Sequence, residues 1–218
     1  MILWIVLFVL VVAISFILAA KSMKDFREIP ANEQYGLFLI RKSQELNAQL
    51  LNLIQRDLLV SNSVISFERL FRGGKSALVI YGPKPLLFKY LQNLDLLELE
   101  DYTNVNPAQI SAWEVGIKGK GQVFENLPEF PQSEQFWWQI IISSSFKIQV
   151  RAIVISEDDV KRHSLTQTLH NLAPEKIIKL PKAYSNEQIL EFYKTRSFKK
   201  DEKNPVLKAE DIIHLLSI

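Results

Sequence analysis

Residues 64–82 read VISFERLFRGGKSALVIYG, and the way this stretch is read decides the fold. Gly-Lys-Ser is the tail of a nucleotide-binding P-loop. That loop needs a glycine five positions before Gly74 and a helix opening at the Lys-Ser pair. Arg69 stands at that position instead, and Ser76 is followed by the β-prone run ALVIYG. Two strands joined at Gly73-Gly74 account for more of the residues, because Gly-Gly supplies the positive φ that a two-residue hairpin turn requires. The stretch predicts a β-hairpin, not a phosphate site.

Working outward, the segment before the hairpin carries Leu39, Leu46, Leu50 and Leu53, with Leu51, Ile54 and Leu58 beside them. These spacings predict a long amphipathic helix over 33–59, with Asn32 as N-cap after Pro30. After the hairpin, Pro83 and Pro85 introduce a short helix to about Leu94. In DLLELEDY, leucines then alternate with glutamates in the period of a half-buried strand. ISAWEVGIKG predicts another strand, and residues 120–135 read as a loop punctuated by Pro128 and Pro131. A second set follows: strands in QFWWQIIIS and FKIQVRAIVIS, a helix in EDDVKRHSLTQTLHNL with its acids in the first turn, and a strand in EKIIKLP. SNEQILEFYKTRSF opens with a capping box, Ser185 and Gln188, KKDEKN is a polar linker, and AEDIIHLL is a closing helix. The expected fold is α+β: two ββα-type units on a mixed or antiparallel sheet, with no internal sequence repeat of useful length.

The first 20 residues, MILWIVLFVLVVAISFILAA, carry no charge. As a helix they reach about 30 Å, the thickness of a bilayer core. A cleavable signal peptide wants a basic start, a shorter apolar run and a small-x-small site, and none is present. The stretch predicts an uncleaved transmembrane anchor. Lys21, Lys24 and Arg27 follow it at once and nothing basic precedes it, so the positive-inside rule puts the C-terminal bulk in the cytoplasm. The expected organisation is an anchor (1–20), a juxtamembrane segment and amphipathic helix (21–59), two α+β units (60–126 and 127–200), and a linker with a C-terminal helix (201–218). Localisation follows as single-pass in the cell's inner, cytoplasmic membrane.

The rest of the composition narrows the chemistry. There is no Cys, which removes disulfides, thiolate metal sites and cysteine nucleophiles, and the formal charge of +2 gives no strong global field. His163 and His170 lie seven apart on one helix, not at the i, i+4 spacing of a two-His metal site. The carboxylates Glu98, Glu100, Asp101 and Glu157, Asp158, Asp159 flank elements instead of lining a cleft. No Gly-x-Ser-x-Gly elbow surrounds any serine. The sequence predicts no enzyme, no cofactor and no metal. Candidate partner contacts are Trp137 and Trp138, which adjacent in a strand point to opposite faces, one expected in the core and one exposed. The basic stretch with Lys194, Arg196, Lys199 and Lys200 is a second candidate, for protein, phosphate or lipid headgroups.

Taken together, the ordered pieces resemble the membrane-proximal domain placed ahead of the motor in membrane-anchored type IV secretion or conjugation ATPases. The resemblance is carried by residues 64–103 (the hairpin, the short helix and the acidic strand ending in EDYT), by EQFWWQIII at 134–142, FKIQVRAIVIS at 146–156, and NPVLKAEDIIHLLSI at 204–218. It spans roughly residues 34–218. The last segment is similar to the one that joins that domain to the ATPase core, and this sequence carries no Walker residues. The resemblance therefore implies a non-catalytic accessory or docking component with a secretion or conjugation ATPase as protein partner. It implies either a stand-alone subunit or the N-terminal part of a split motor. Two alternatives are a nucleic-acid-contacting module using the 194–208 stretch, and an envelope-facing binding module if the topology is inverted.

Overall fold

A computed structural model describes residues 4, 8, 10–16, 27–28, 34–118, 127–172, 177–179, 184–199 and 204–216 of the 218-residue chain. In chain order the elements are β1 (Arg27–Glu28), β2 (Tyr35–Ile40), α1 (Ala48–Ser61), β3 (Val64–Arg72), β4 (Lys75–Pro83), α2 (Lys84–Lys89), α3 (Leu91–Leu94) and β5 (Leu96–Leu99). Then come β6 (Ile110–Ile117), β7 (Gln135–Ser143), β8 (Ile148–Ile155), α4 (Asp159–Leu172), β9 (Ile177–Lys179), α5 (Asn186–Lys194), β10 (Phe198–Lys199) and α6 (Ala209–Leu216).

The decisive hairpin forms as the residues require. β3 and β4 pair from Ser66–Tyr81 to Arg72–Lys75, and the loop is Gly73-Gly74 with φ of 56° and 67°. Both central residues at positive φ make the primed turn whose twist matches the strands. Around this pair grows one eight-stranded sheet in the order β5-β2-β4-β3-β7-β8-β6-β9, with every neighbouring pair antiparallel.

The sheet order contains a repeat that the sequence does not display. Residues 35–99 run strand, helix, hairpin, helix, strand, and their strands order β5-β2-β4-β3; residues 110–179 order β9-β6-β8-β7 in the same sense. Each half thus has the connectivity of a split β-α-β unit. The halves meet where β3 pairs with β7, from Val64–Ser143 to Phe71–Phe136. The second half has no helix in the described part of its first connection. α6 supplies cover there: its Ile212 and Leu215 are buried in the same core as Trp138, Ile140 and Ala152.

One expectation needs correcting. Residues 35–40 are strand β2, and the helix begins only at Ala48. Asn47 is the true N-cap, its side chain accepting from the Leu50 amide at 3.0 Å. The seven-residue spacing from Leu39 to Leu46 mimicked a heptad, but the β-prone YGLFLI run found a sheet position between β4 and β5. The helix that remains buries Leu51, Ile54 and Leu58 completely on one stripe.

The two sheet faces differ. On one, α1 to α4 and α6 cover Phe38, Phe67, Ile80, Phe136 and Trp138. On the other, α5 covers Ile110, Trp137 and Ile153 with Ile189, Leu190 and Tyr193. Among the described residues no helix is long and apolar enough to cross a membrane. The expected span at 1–20 is described only at Trp4, Phe8 and 10–16, which are helical and exposed; its other residues lie outside the described ones.

Candidate functional site

The region richest in polar chemistry lies under α5. Glu114 on β6, Arg151 on β8, Gln139 on β7 and Glu68 on β3 are cross-strand partners in succession, so four polar side chains form one row across the α5 face. Burying such groups is costly unless each finds partners. Arg151, fully buried, donates from Nη1 to Gln139 Oε1 (2.9 Å) and the Phe192 carbonyl (2.8 Å), and from Nη2 to Gln149 Oε1 (3.2 Å) and the Ser197 carbonyl (2.5 Å). Its Nε lies 3.7 Å from Glu114 Oε1. Gln139 donates from Nε2 to Glu68 Oε1 (3.0 Å) and to the Tyr193 carbonyl (3.1 Å).

Glu68 is 0 % exposed and closes the row. It accepts from Ser66 Oγ (2.6 Å), from Arg196 Nε (3.1 Å) and from the Tyr102 hydroxyl. Arg196 reaches it from the turn after α5, in a left-handed conformation with φ of 48°. The same guanidinium donates from Nη1 to Asp101 Oδ2 (2.5 Å) and lies over the Tyr81 ring at 4.8 Å. A residue that holds positive φ without being glycine or asparagine is strained, and here the ion pair holds it.

Electrostatics follow from burial and these pairs. Desolvation alone would lower the Arg196 pKa, but Glu68 and Asp101 outweigh it and push it above the usual arginine value. For Asp101, desolvation acts upward, while hydrogen bonds from Arg196 and Thr103 prevail and hold it below the usual carboxylate range. Burial first, then the Glu68 charge, drives the Tyr102 and Tyr193 hydroxyls well above the ordinary phenol value.

The donors in this row face backbone carbonyls of 192–197 and side chains of the sheet. Chemically the arrangement is a clamp that fastens α5 and the segment after it to the sheet. A second fastening lies at the start of α5. The Asn186 amide accepts from Ala112 N (3.4 Å) and donates to the Ile110 carbonyl (3.1 Å), standing in for a neighbouring strand along part of β6. The expected capping box is formed, with Ser185 Oγ accepting from Gln188 N at 3.2 Å and Gln188 Oε1 from Ser185 N at 2.9 Å.

The residues expected to touch a partner fare unevenly. Trp137 and Trp138 do point to opposite faces, but both faces are covered and the two are 2 % and 0 % exposed. Neither offers a surface, because α5 hides one and the helical layer the other. Arg196 is buried in the clamp and drops out of the basic stretch. Lys194 and Lys199 are partly exposed; Lys199 Nζ donates to the Tyr184 hydroxyl at 3.3 Å. Lys200, Lys21 and Lys24 lie outside the described residues, and Arg27 is described as backbone in β1 only.

The Gly-Lys-Ser stretch lines an open cavity of about 210 Å³ with Phe71, Arg72, Leu127 and Phe130. The Gly74 N–H is already engaged by the Phe130 carbonyl (3.1 Å), and Lys75 and Ser76 sit in the β3–β4 ladder. No phosphate cradle of backbone amides exists there. His170 packs edge-on against Trp113 at 4.7 Å, while His163 and His214 are exposed. Among the described residues no three His, Asp or Glu side chains converge as a metal site.

Sequence reasoning missed Glu68, Gln139 and Arg151 as a unit. The signal was available: each stands in a largely apolar strand, in VISFERLF, FWWQIII and IQVRAIVI, and a polar or charged side chain buried in such a strand demands a partner. No protein-family model, curated protein or solved structure matches the chain.

Proposed function

We propose that the chain is a non-catalytic, single-pass membrane protein of the inner membrane whose cytoplasmic α+β domain docks a secretion or conjugation ATPase. The observation that carries this reading is where the chain enters and leaves the sheet. β1 pairs with β10, and Phe198 of β10 packs on Val64 and Ile141 at one end of the strands. α6 starts at that same end, where Val206 bridges Lys147 and Leu207 N donates to the Phe146 carbonyl. It finishes further along, where Arg69 Nη1 donates to the Leu216 carbonyl at 3.3 Å. Entry lies at the Val64 end, and exit is displaced toward the Gly73–Gly74 end. The nine residues of β3 measure roughly 30 Å. A rigid sheet set between an anchor and a motor is a spacer, and in this reading the sheet sets the stand-off.

Two experiments test the reading. Affinity isolation from solubilised membranes should recover a secretion or conjugation ATPase; repeated recovery without any such component would sink the docking role. Ser145 is exposed in the β7–β8 turn of this Cys-free chain. A Ser145→Cys variant should resist an impermeant thiol reagent in intact cells and react after lysis. Labelling of intact cells would overturn the orientation and favour the envelope-facing alternative.

A further inference from the structure

We infer that β10 is a releasable strap: it holds the entering chain against the domain and so governs how far the domain can move from its membrane. The reach rests on the anchored reading above; the strap rests on contacts within the folded domain. β1 and β10 form a two-stranded sheet of their own, through the pairs Arg27–Lys199 and Glu28–Phe198. Two residue pairs are too few to persist alone, since even a whole isolated hairpin is marginal in water. β1 therefore depends on β10 being held in place.

Side chains do the holding. Among the described residues no strand of the eight-stranded sheet pairs with β10. Instead Gln149 Oε1 of β8 accepts from the Lys199 N–H at 3.1 Å and from Arg151 Nη2 at 3.2 Å. The Asn204 amide donates to the Lys199 carbonyl at 2.6 Å. Phe198, 2 % exposed, is seated on Val64 and Ile141. The chain is fixed on either side of these contacts. Arg196 pairs with Glu68 before β10, and after it the Ile148 N–H donates to the Pro205 carbonyl at 2.9 Å. β10 thus spans two fixed points on a few directional contacts and one apolar seat. Such a segment opens locally, at a lower free energy than the core.

Opening changes the length of the tether. Arg27 lies seven positions after Ala20, the last residue of the apolar stretch, and Tyr35 of β2 lies fifteen after it. Fully extended, those lengths reach at most about 25 Å and about 54 Å. With the strap closed the domain is confined to the shorter reach. With it released, β2 becomes the first fixed strand and the permitted distance roughly doubles.

Hydrogen exchange of the full chain in detergent tests the strap. Gln149→Ala removes the acceptor of the Lys199 N–H. It should speed exchange of the β1 and β10 amides together, by about fivefold for one lost hydrogen bond. Asn204→Ala should act likewise on the Lys199 carbonyl. Leu51→Ala, which weakens the helical layer, should leave the β1 amides at their wild-type rate. Faster exchange in β10 alone, faster exchange that spreads equally to β7, or a β1 response to Leu51→Ala overturns the strap. The reach is tested in vesicles whose headgroups carry an acceptor dye, with a donor on Ser145→Cys. Phe198→Asp, which unseats the strap, should lengthen and broaden the donor-to-membrane distance while β7 amides stay protected. Gln149→Ala with Asn204→Ala, a milder release, should shift it the same way. An unchanged distance despite freed β1 amides overturns the reach. If the chain fails to float with vesicles after alkaline extraction, the anchored reading falls and the reach with it, while the exchange results decide the strap alone.

Discussion

The two halves of the sheet share one connectivity and are held together by different physics. Residues 35–99 close by apolar burial: Leu51, Ile54 and Leu58 of α1 and Leu87 and Leu94 of the following helices are completely buried against Phe38, Phe67 and Ile80. Residues 110–179 also carry an apolar layer, but their other face holds Glu114, Arg151 and Gln139 under α5. Packing in the first half is non-directional and tolerates neighbours of similar volume. The clamp, which runs from Glu114, Arg151 and Gln139 of the second half to Glu68 on β3, is directional and fails steeply when one partner is lost. It fixes which segment may cover that face, and so fixes where the chain goes after α5.

The largest expected effect comes from breaking the clamp. Arg196→Ala leaves Glu68 buried without its cation, and loss of one member of a buried pair costs about 3–5 kcal/mol. Denaturation of the full chain in detergent should show that loss, with α5 amides exchanging fastest. Pairing Glu68→Gln with Arg196→Met should recover much of it, since apolar or neutral replacement of both partners is often tolerated. Equal cost for single and double variants would show that the clamp is not the source. On the apolar side, Leu51→Ala removes a wholly buried side chain, for about 3 kcal/mol. Its hydrogen-exchange footprint should centre on α1 and leave α5 protected; spread to α5 would erase the distinction between the halves.

Much of this was legible in the residues. The Gly-Gly hairpin, the strands at 110–117 and 135–155, the capping box and the closing helix all stand where local pattern puts them, because each signal sits within one element. The repeat was legible only as two similar ββα-type units; that each half is a split β-α-β exists in strand order and not in similar residues. The clamp was half legible: Glu68, Gln139 and Arg151 were anomalous in their strands, but only strand pairing makes them neighbours. Arg196 was read as a candidate partner contact in a basic stretch because nothing local to TRSFKK reveals Glu68, 128 positions earlier.

A smaller effect separates the two glycines of the hairpin, which joins the first half to the centre of the sheet. Both hold positive φ, so alanine costs about 1–2 kcal/mol of backbone strain at either. At Gly73 an added Cβ would also stand 2.1 Å from Gln132 Oε1, whereas at Gly74 it meets nothing within 4 Å. Gly73→Ala should therefore lower the melting temperature more than Gly74→Ala, and Gly73→Ala with Gln132→Ala should bring the two level. A larger loss at Gly74 would contradict the hairpin geometry.

The smallest effect tests the clamp's outer arm by pH. Asp101 is about half exposed, and its carboxylate sits at the solvent edge of the Arg196 pair. Its folded pKa lies below the ordinary carboxylate value despite the upward pull of desolvation, because hydrogen bonds from Arg196 and Thr103 favour the charged form. A lowered pKa means that the folded state holds the proton less tightly than the unfolded chain. The arm's stabilisation is thus complete above the unfolded value, near pH 4, and disappears as pH falls through the lower folded value. Solvent screening limits it to about 0.2–1 kcal/mol, as for other exposed ion pairs. The difference in stability between the wild-type chain and Asp101→Asn should accordingly be constant from neutral pH down to about 5 and shrink below 4. At alkaline pH the order reverses in kind: the raised pKa values of Tyr102 and Tyr193 give stability that is present below about pH 10 and lost as pH rises through the folded values. A wild-type to Asp101→Asn difference that stays unchanged down to pH 3 would mean that Asp101 is not an electrostatic arm of the clamp, and that Glu68 alone holds Arg196 in its left-handed turn.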